Sequence, residues 1–162
     1  MRWRSVGNTD CSVARTLSVI GERWTMLILR ECFLGRRRFD EFQRNTGIAR
    51  NILATRLRAL VDDGILQRAP AEADRARVEY RLTKMGIDLY PVMIAMMQWG
   101  DAWLCDENGP PLSVMHRTCG AHATPRMTCP SCGAQVGARD MLAIPRHREP
   151  APRRAASRRA SR

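Results

Sequence analysis

The sequence is short of lysine, of aromatic residues and of long apolar runs. Lys84 is the only lysine among 27 basic residues, so arginine carries the positive charge, and genome base composition contributes to that bias. Aromatics make up 6% of the chain. The longest greasy run, residues 89–99, falls far short of the ~20 apolar residues a membrane helix needs. The opening MRWRSVGNTD lacks the apolar core of a secretion signal. These absences exclude a membrane partner and lead us to expect a cytoplasmic protein. No phosphate-binding loop, dinucleotide fingerprint or nucleophile motif is present, so no enzymatic activity is expected.

What the chain does have is charge. Its 162 residues carry a formal net charge of +11 with a pI near 10.8, an excess that attracts polyanions, nucleic acid foremost. With 44% hydrophobic residues the chain can bury one core and a small appendage. The charge is uneven. Residues 145–162, PRHREPAPRRAASRRASR, hold seven arginines against one glutamate and no apolar side chain larger than proline. Such a tail cannot bury enough surface to offset the entropy of ordering, and it is expected to be disordered.

The most informative stretch is GIARNILATRLRALVDDGIL, residues 47–66. At 100° per residue, Leu53, Leu57, Leu60 and Val61 share one stripe, and Asn51, Thr55, Arg58 and Asp62 lie opposite. Gly47 supplies a turn before this helix and Gly64 suits the left-handed end after it. Three helices are expected upstream. Val13, Leu17 and Ile20 space the first, which stops at Gly21. Trp24, Leu27, Ile28, Phe33 and Leu34 give the second a broad apolar face up to Gly35. Phe39 and Phe42 anchor a third. Downstream the period changes to two: ILQRA, a polar stretch, then RVEYRLT, a hairpin with Arg75 and Arg77 near its tip. Residues 84–104 read as helical, with Pro91 kinking or breaking them. Met85, Leu89, Val92, Met93, Met96, Trp99, Trp103 and Leu104 there exceed what one small domain needs, and a second copy of the chain is the simplest partner. The fold class is mainly α with a small β-hairpin wing, a dimeric winged helix-turn-helix followed by a small zinc-knuckle-like C-terminal segment. The domains fall at 1–105, 106–144 and 145–162.

Cys11 stands before the first helix, G-x-x-W runs from Gly21 to Trp24, Arg56-Leu57 is followed by Leu60 to Gly64, and VEYRLT runs from Val78 to Thr83. With these motifs, residues 11–104 closely resemble the HxlR-type transcriptional regulators, relatives of the MarR group. The resemblance implies a homodimer that binds double-stranded operator DNA and regulates neighbouring genes, with repression the expected sign. The third and fourth helices would form the helix-turn-helix, sending Arg50, Asn51, Thr55 and Arg58 toward the major groove. Arginine pairs with guanine and asparagine with adenine, so Arg50, Asn51 and Arg58 are the candidate base readers. Arg36, Arg37 and Arg38 stand where phosphate contacts are expected. Arg75 and Arg77 could enter the adjacent minor groove. Arg56, to the side of the wheel, would hold phosphate or a neighbouring helix. Ala49 and Arg50 stand where many relatives have serine and proline, so a capping hydroxyl is missing and operator preference does not transfer.

Six cysteines in a reducing compartment call for roles other than a disulfide framework. His116-x2-Cys119 and Cys129-x2-Cys132 form two half-sites nine residues apart, and their three sulfurs and one nitrogen suit a structural zinc ion. His122 is the competing nitrogen ligand, and reduced, unliganded cysteines are the alternative. A dithiol redox pair lacks a thioredoxin-like frame here. Cys11, near a helix N-terminus and one turn from Arg15, is a candidate thiol switch, since some members of the family sense oxidants through a cysteine in this region; an inert buried cysteine is the other reading. Cys32 and Cys105 read as core residues. A small-molecule or redox effector is compatible with either view. The alternative function is a zinc-dependent protein-interaction module with only non-specific DNA binding.

Overall fold

The computed structural model describes residues 10–72 and 74–144. The arginine-rich segment 145–162 lies outside the described residues. The chain divides into two compact units, Met1–Leu112 and Ser113–Arg162.

The first unit is mainly helical with one two-stranded hairpin. Its elements are α1 (Ser12–Ile20), α2 (Thr25–Phe33), α3 (Phe39–Thr46), α4 (Arg50–Asp62), β1 (Leu66–Pro70), β2 (Val78–Leu82), α5 (Lys84–Ile87) and α6 (Tyr90–Trp103). The apolar spacing read from sequence becomes a single core of Ile28, Leu29, Phe42, Ile48, Leu53, Leu57, Leu60, Ile65 and Leu66, each at most 2% exposed. The stripe Leu53-Leu57-Leu60 is the buried side of α4, and Asn51, Thr55, Arg58 and Asp62 are exposed on its other side. On α2 the buried positions are Thr25, Ile28, Leu29 and Glu31, and Leu34, expected on the apolar face, is exposed beyond the helix end.

Glu31 is a buried carboxylate that the apolar spacing did not reveal. It accepts from the Arg30 guanidinium at 2.7 and 3.0 Å and from the Asn45 amide at 2.7 Å. A buried carboxylate is tolerable only with such partners, and here they tie α2 to α3. Asn45 and Arg30 are therefore structural.

Two glycines shape the unit. Gly47, at φ 68°, ends α3 in the left-handed conformation and turns the chain into α4. Gly86 is buried in α5, where an added Cβ would stand 2.3 Å from the Ile65 carbonyl oxygen, so only glycine lets α5 approach the root of the hairpin. Thr83 secures the same junction: its hydroxyl donates to the Gly64 carbonyl at 2.7 Å and accepts from the Gly86 N–H at 3.1 Å.

The hairpin is antiparallel, with Leu66 opposite Leu82 and Arg68 opposite Tyr80. Tyr80 packs edge-on against Phe42, ring centroids 6.3 Å apart, and its N–H donates to the Arg37 carbonyl at 2.8 Å. The wing is thus fixed to the entrance of α3. Of the two outcomes expected for Pro91, the break is observed: α5 stops at Ile87, and α6 restarts with Pro91 in its first turn, where its missing N–H costs nothing. Phe33 meets Tyr90 edge-on at 5.1 Å and seats the start of α6 on α2.

No described residue from 113 to 144 is buried. This unit is held by turns and two isolated bridges, Met115 with His122 and Thr128 with Gln135. None of the described helices is long and apolar enough to cross a membrane.

Candidate nucleic-acid interface

The arginines separate by whether a carboxylate already holds them. Arg38 pairs with Asp40 at 3.2 Å, Arg77 with Asp74 at 3.0 Å, and Arg37 stands 3.9 Å from Glu79. Arg56 lies 3.6 Å from Glu22, the structural outcome of its sideways position on the wheel, and its buried Nε has no hydrogen-bond partner. Arg36, Arg50, Arg58 and Arg75 are exposed or nearly so and have no ion pair with another described residue. These four keep a full charge for an outside anion.

Two of the free cations, Arg50 and Arg58, lie on α4 itself. Arg50 lies over the Phe39 ring at 5.0 Å, a cation–π contact that braces it between α3 and α4. Asn51 and Arg58 project from the outer face, and the Thr55 hydroxyl donates to the Asn51 carbonyl at 2.9 Å. A crevice between α4 and the hairpin is lined by Ala54, Arg58, Val61, Asp62, Arg68 and Tyr80. Arg68, exposed and also without an ion pair to a described residue, was missed from sequence. The signal was available in the period of two, which puts Arg68 on the face of Leu66 and opposite Tyr80, toward the helices.

Local chemistry also sets the helix starts. Ala49 precedes α4 with no side-chain cap, so the first N–H groups of that helix keep their donor capacity. At α3 the opposite holds: Glu41 reaches back to accept from the Arg37 and Arg38 N–H groups at 3.1 and 3.0 Å. The Arg37 N–H, and after it the Arg38 N–H and the charges of Arg36 and Arg38, hold the Glu41 carboxyl below its ordinary range against the opposing effect of burial.

The cysteines fall into distinct environments. Cys11 is exposed in the single chain and precedes α1. Its neighbour Arg15 turns to Asp10 at 3.9 Å and to the Ser12 hydroxyl at 3.3 Å. The Cys32 thiol is pushed up to about 12, chiefly by burial and then by Glu31, and it stays protonated. Cys105 is half-buried just past α6. In the second unit, His116 Nδ1 lies 3.3 Å from Cys119 Sγ. The Cys129 thiol is held below its ordinary range by the backbone N–H groups of Ser131 and Cys132 and by the Cys132 side chain. Each pair is formed, but no three His, Cys, Asp or Glu side chains are gathered as a metal shell among the described residues.

Two helices joined by a left-handed glycine, a hairpin pinned beside them and free arginines between define a winged helix-turn-helix. The HxlR-like helix-turn-helix family model matches residues 19–108. The chain belongs to that family, whose members are transcriptional regulators rather than enzymes. An HTH-type transcriptional regulator of Mycobacterium tuberculosis, itself uncharacterized, is 49% identical over 134 residues, covering 83% of this chain and 85% of its own length. Among solved structures, PA1607, described as a candidate transcription factor, superposes with a TM-score of 0.78 at 38% identity, covering 86% of this chain and 98% of its own. The redox regulator HypR in its reduced form aligns with a TM-score of 0.51 at 35% identity over 57% of this chain and 92% of its own.

Proposed function

We propose that the protein is a homodimeric repressor that reads operator DNA with the outer face of α4. The observation that carries this reading is the outward group Asn51, Thr55 and Arg58 on α4, with Arg50 at the start of the same helix and Arg68 across the crevice, none of these arginines in an ion pair with a carboxylate of the described residues. Asn51 and Arg58 offer paired donors and acceptors to adenine and guanine edges. Thr55 adds a hydroxyl one turn on, and the uncapped N–H groups at the start of α4 add a phosphate ligand. Arg36 and Arg50 contact phosphate beside the groove, and Arg75 extends from the hairpin tip toward the minor groove. Arg37, Arg38 and Arg77 contribute less, because binding DNA would compete with their carboxylates.

The apolar surface of α6 supports the dimer. Fourteen residues contain a single charge, Asp101, yet only Ile94 is buried; Met96, Trp99, Trp103 and Leu104 are 52–74% exposed. A helix apolar on all sides belongs inside a protein, and α1 adds exposed Val13 and Leu17. A second copy of the chain covers these surfaces and presents two α4 helices to half-sites about one DNA turn apart. Cys11, exposed at the head of α1, gives oxidants access to an element of that dimer.

Two measurements test the reading. Sedimentation equilibrium should give a dimer in dilute solution. Selection of random duplexes with purified protein should return a two-fold symmetric sequence, bound with affinity that falls steeply with salt through counterion release. A monomer that binds all duplexes alike would point instead to an interaction module with non-specific DNA affinity.

A further inference from the structure

The second unit contains a thirteen-residue repeat in both sequence and backbone. Shifted by thirteen residues, His116 falls on Cys129, Cys119 on Cys132, Gly120 on Gly133 and Ala121 on Ala134. The backbone repeats with it. The Gly120 N–H donates to the His116 carbonyl at 2.8 Å, and the Gly133 N–H to the Cys129 carbonyl at 2.8 Å. The His116 N–H donates to the Ala121 carbonyl at 2.9 Å, and the Cys129 N–H to the Ala134 carbonyl at 2.8 Å. The next pair outward matches too, Ala123 to Val114 and Val136 to Met127, and both glycines are left-handed, at φ 71° and 73°. Each copy is a tight hairpin whose turn brings two donor side chains to one side.

We infer that the two hairpins are a pair of knuckles that close on one zinc ion through His116 Nδ1 and the sulfurs of Cys119, Cys129 and Cys132. A tetrahedral zinc with bonds of about 2.3 Å to sulfur and 2.0 Å to nitrogen sets its ligands roughly 3.5 Å apart. The His116 to Cys119 separation of 3.3 Å is already close to that edge. The repeat also decides between the two histidines: His116 occupies the ligand position, whereas His122 corresponds to Gln135 and serves in the bridge to Met115. Only residues 124–126 separate the outermost hydrogen-bonded pairs of the two hairpins, so the two donor pairs, not gathered in one shell among the described residues, are close along the chain. An ion is also what the unit lacks energetically, since nothing in residues 113–144 is buried. On binding, the zinc ion displaces the protons of three thiols and takes three thiolates and a neutral imidazole as ligands, which closes its shell.

The test uses the full-length chain, grown with zinc and purified reduced. Elemental mass spectrometry should find about one zinc per chain. After removal of zinc, added cobalt(II) should give the intense thiolate-to-cobalt absorption and visible bands of a tetrahedral site with three sulfur ligands and one nitrogen ligand, with about three protons released per ion near neutral pH. His116→Ala and Cys132→Ser should lose most of the metal, and His122→Ala should keep it. The cobalt spectrum of the unaltered chain holds the question open to refutation even if a ligand variant misfolds. Zinc below about a tenth of an equivalent without a tetrahedral cobalt spectrum, or retention in His116→Ala together with loss in His122→Ala, would overturn the assignment.

Discussion

The two units achieve order by opposite means. In Met1–Leu112, nine large apolar side chains are essentially removed from water, and among the described residues the buried polar ones are Thr25 and Glu31, the latter held by Arg30 and Asn45. In residues 113–144 no side chain is buried, yet the backbone hydrogen bonds recur in two copies. Hydrophobic burial specifies the first unit and leaves its surface free to evolve toward DNA. The second unit has local turn geometry and donor atoms in place of a core, so its stability depends on whatever those donors hold. Core side chains in the first unit are exchangeable by volume, whereas under the zinc proposal His116, Cys119, Cys129 and Cys132 are exchangeable only for other metal ligands.

The sharpest way to break this contrast is to strip metal. A strong chelator should abolish amide protection across residues 113–144 while the main unfolding transition keeps its midpoint, read by hydrogen exchange and thermal melting. Loss of both together would mean that the two units share one source of stability. The converse perturbation is Leu57→Ala, which removes a fully buried side chain from the centre of α4 and should cost about 2–5 kcal/mol in urea unfolding, with zinc content per folded chain unchanged. Smaller is Gly86→Ala. Its Cβ meets the Ile65 carbonyl, and relieving that contact should cost about 1–3 kcal/mol, checked by the same unfolding curve.

The smallest expected effect concerns acid. Because the folded-state Glu41 carboxyl lies below its ordinary range, its contribution to stability is complete above the unfolded-state value and is lost as pH falls through the lowered one. Glu41→Gln should therefore be less stable than the parent near neutrality, and the difference should shrink toward low pH. Parallel curves of stability against pH would show that the cap at α3 contributes nothing.

Legibility in the sequence followed physical range. The stripe Leu53-Leu57-Leu60, the hairpin and the stop at Gly47 were readable because each is set by neighbours within a turn or two. Glu31 was not, since its partner Asn45 lies fourteen residues away on another helix and TMLILREC looks like an apolar run with a polar interruption. Pro91 announced a disturbance but not its form; the contact of Tyr90 with Phe33 belongs to the break. The arginine count gave a polyanion partner, but only the carboxylates around Arg37, Arg38 and Arg77 divided engaged guanidinium groups from free ones. The two half-sites were legible as spacing, but that each is the turn of the same kind of hairpin is visible only in the recurring hydrogen bonds.

The most direct test of the central claim, that the outer face of α4 reads base sequence, is the ratio of affinities for the selected operator and a scrambled duplex at fixed salt. For the unaltered protein the ratio should reach at least ~10³. Arg58→Ala and Asn51→Ala should each reduce it by about 1–3 kcal/mol while their affinity for the scrambled duplex changes little. Ratios unchanged in both variants would contradict the claim and move recognition to another surface of the protein.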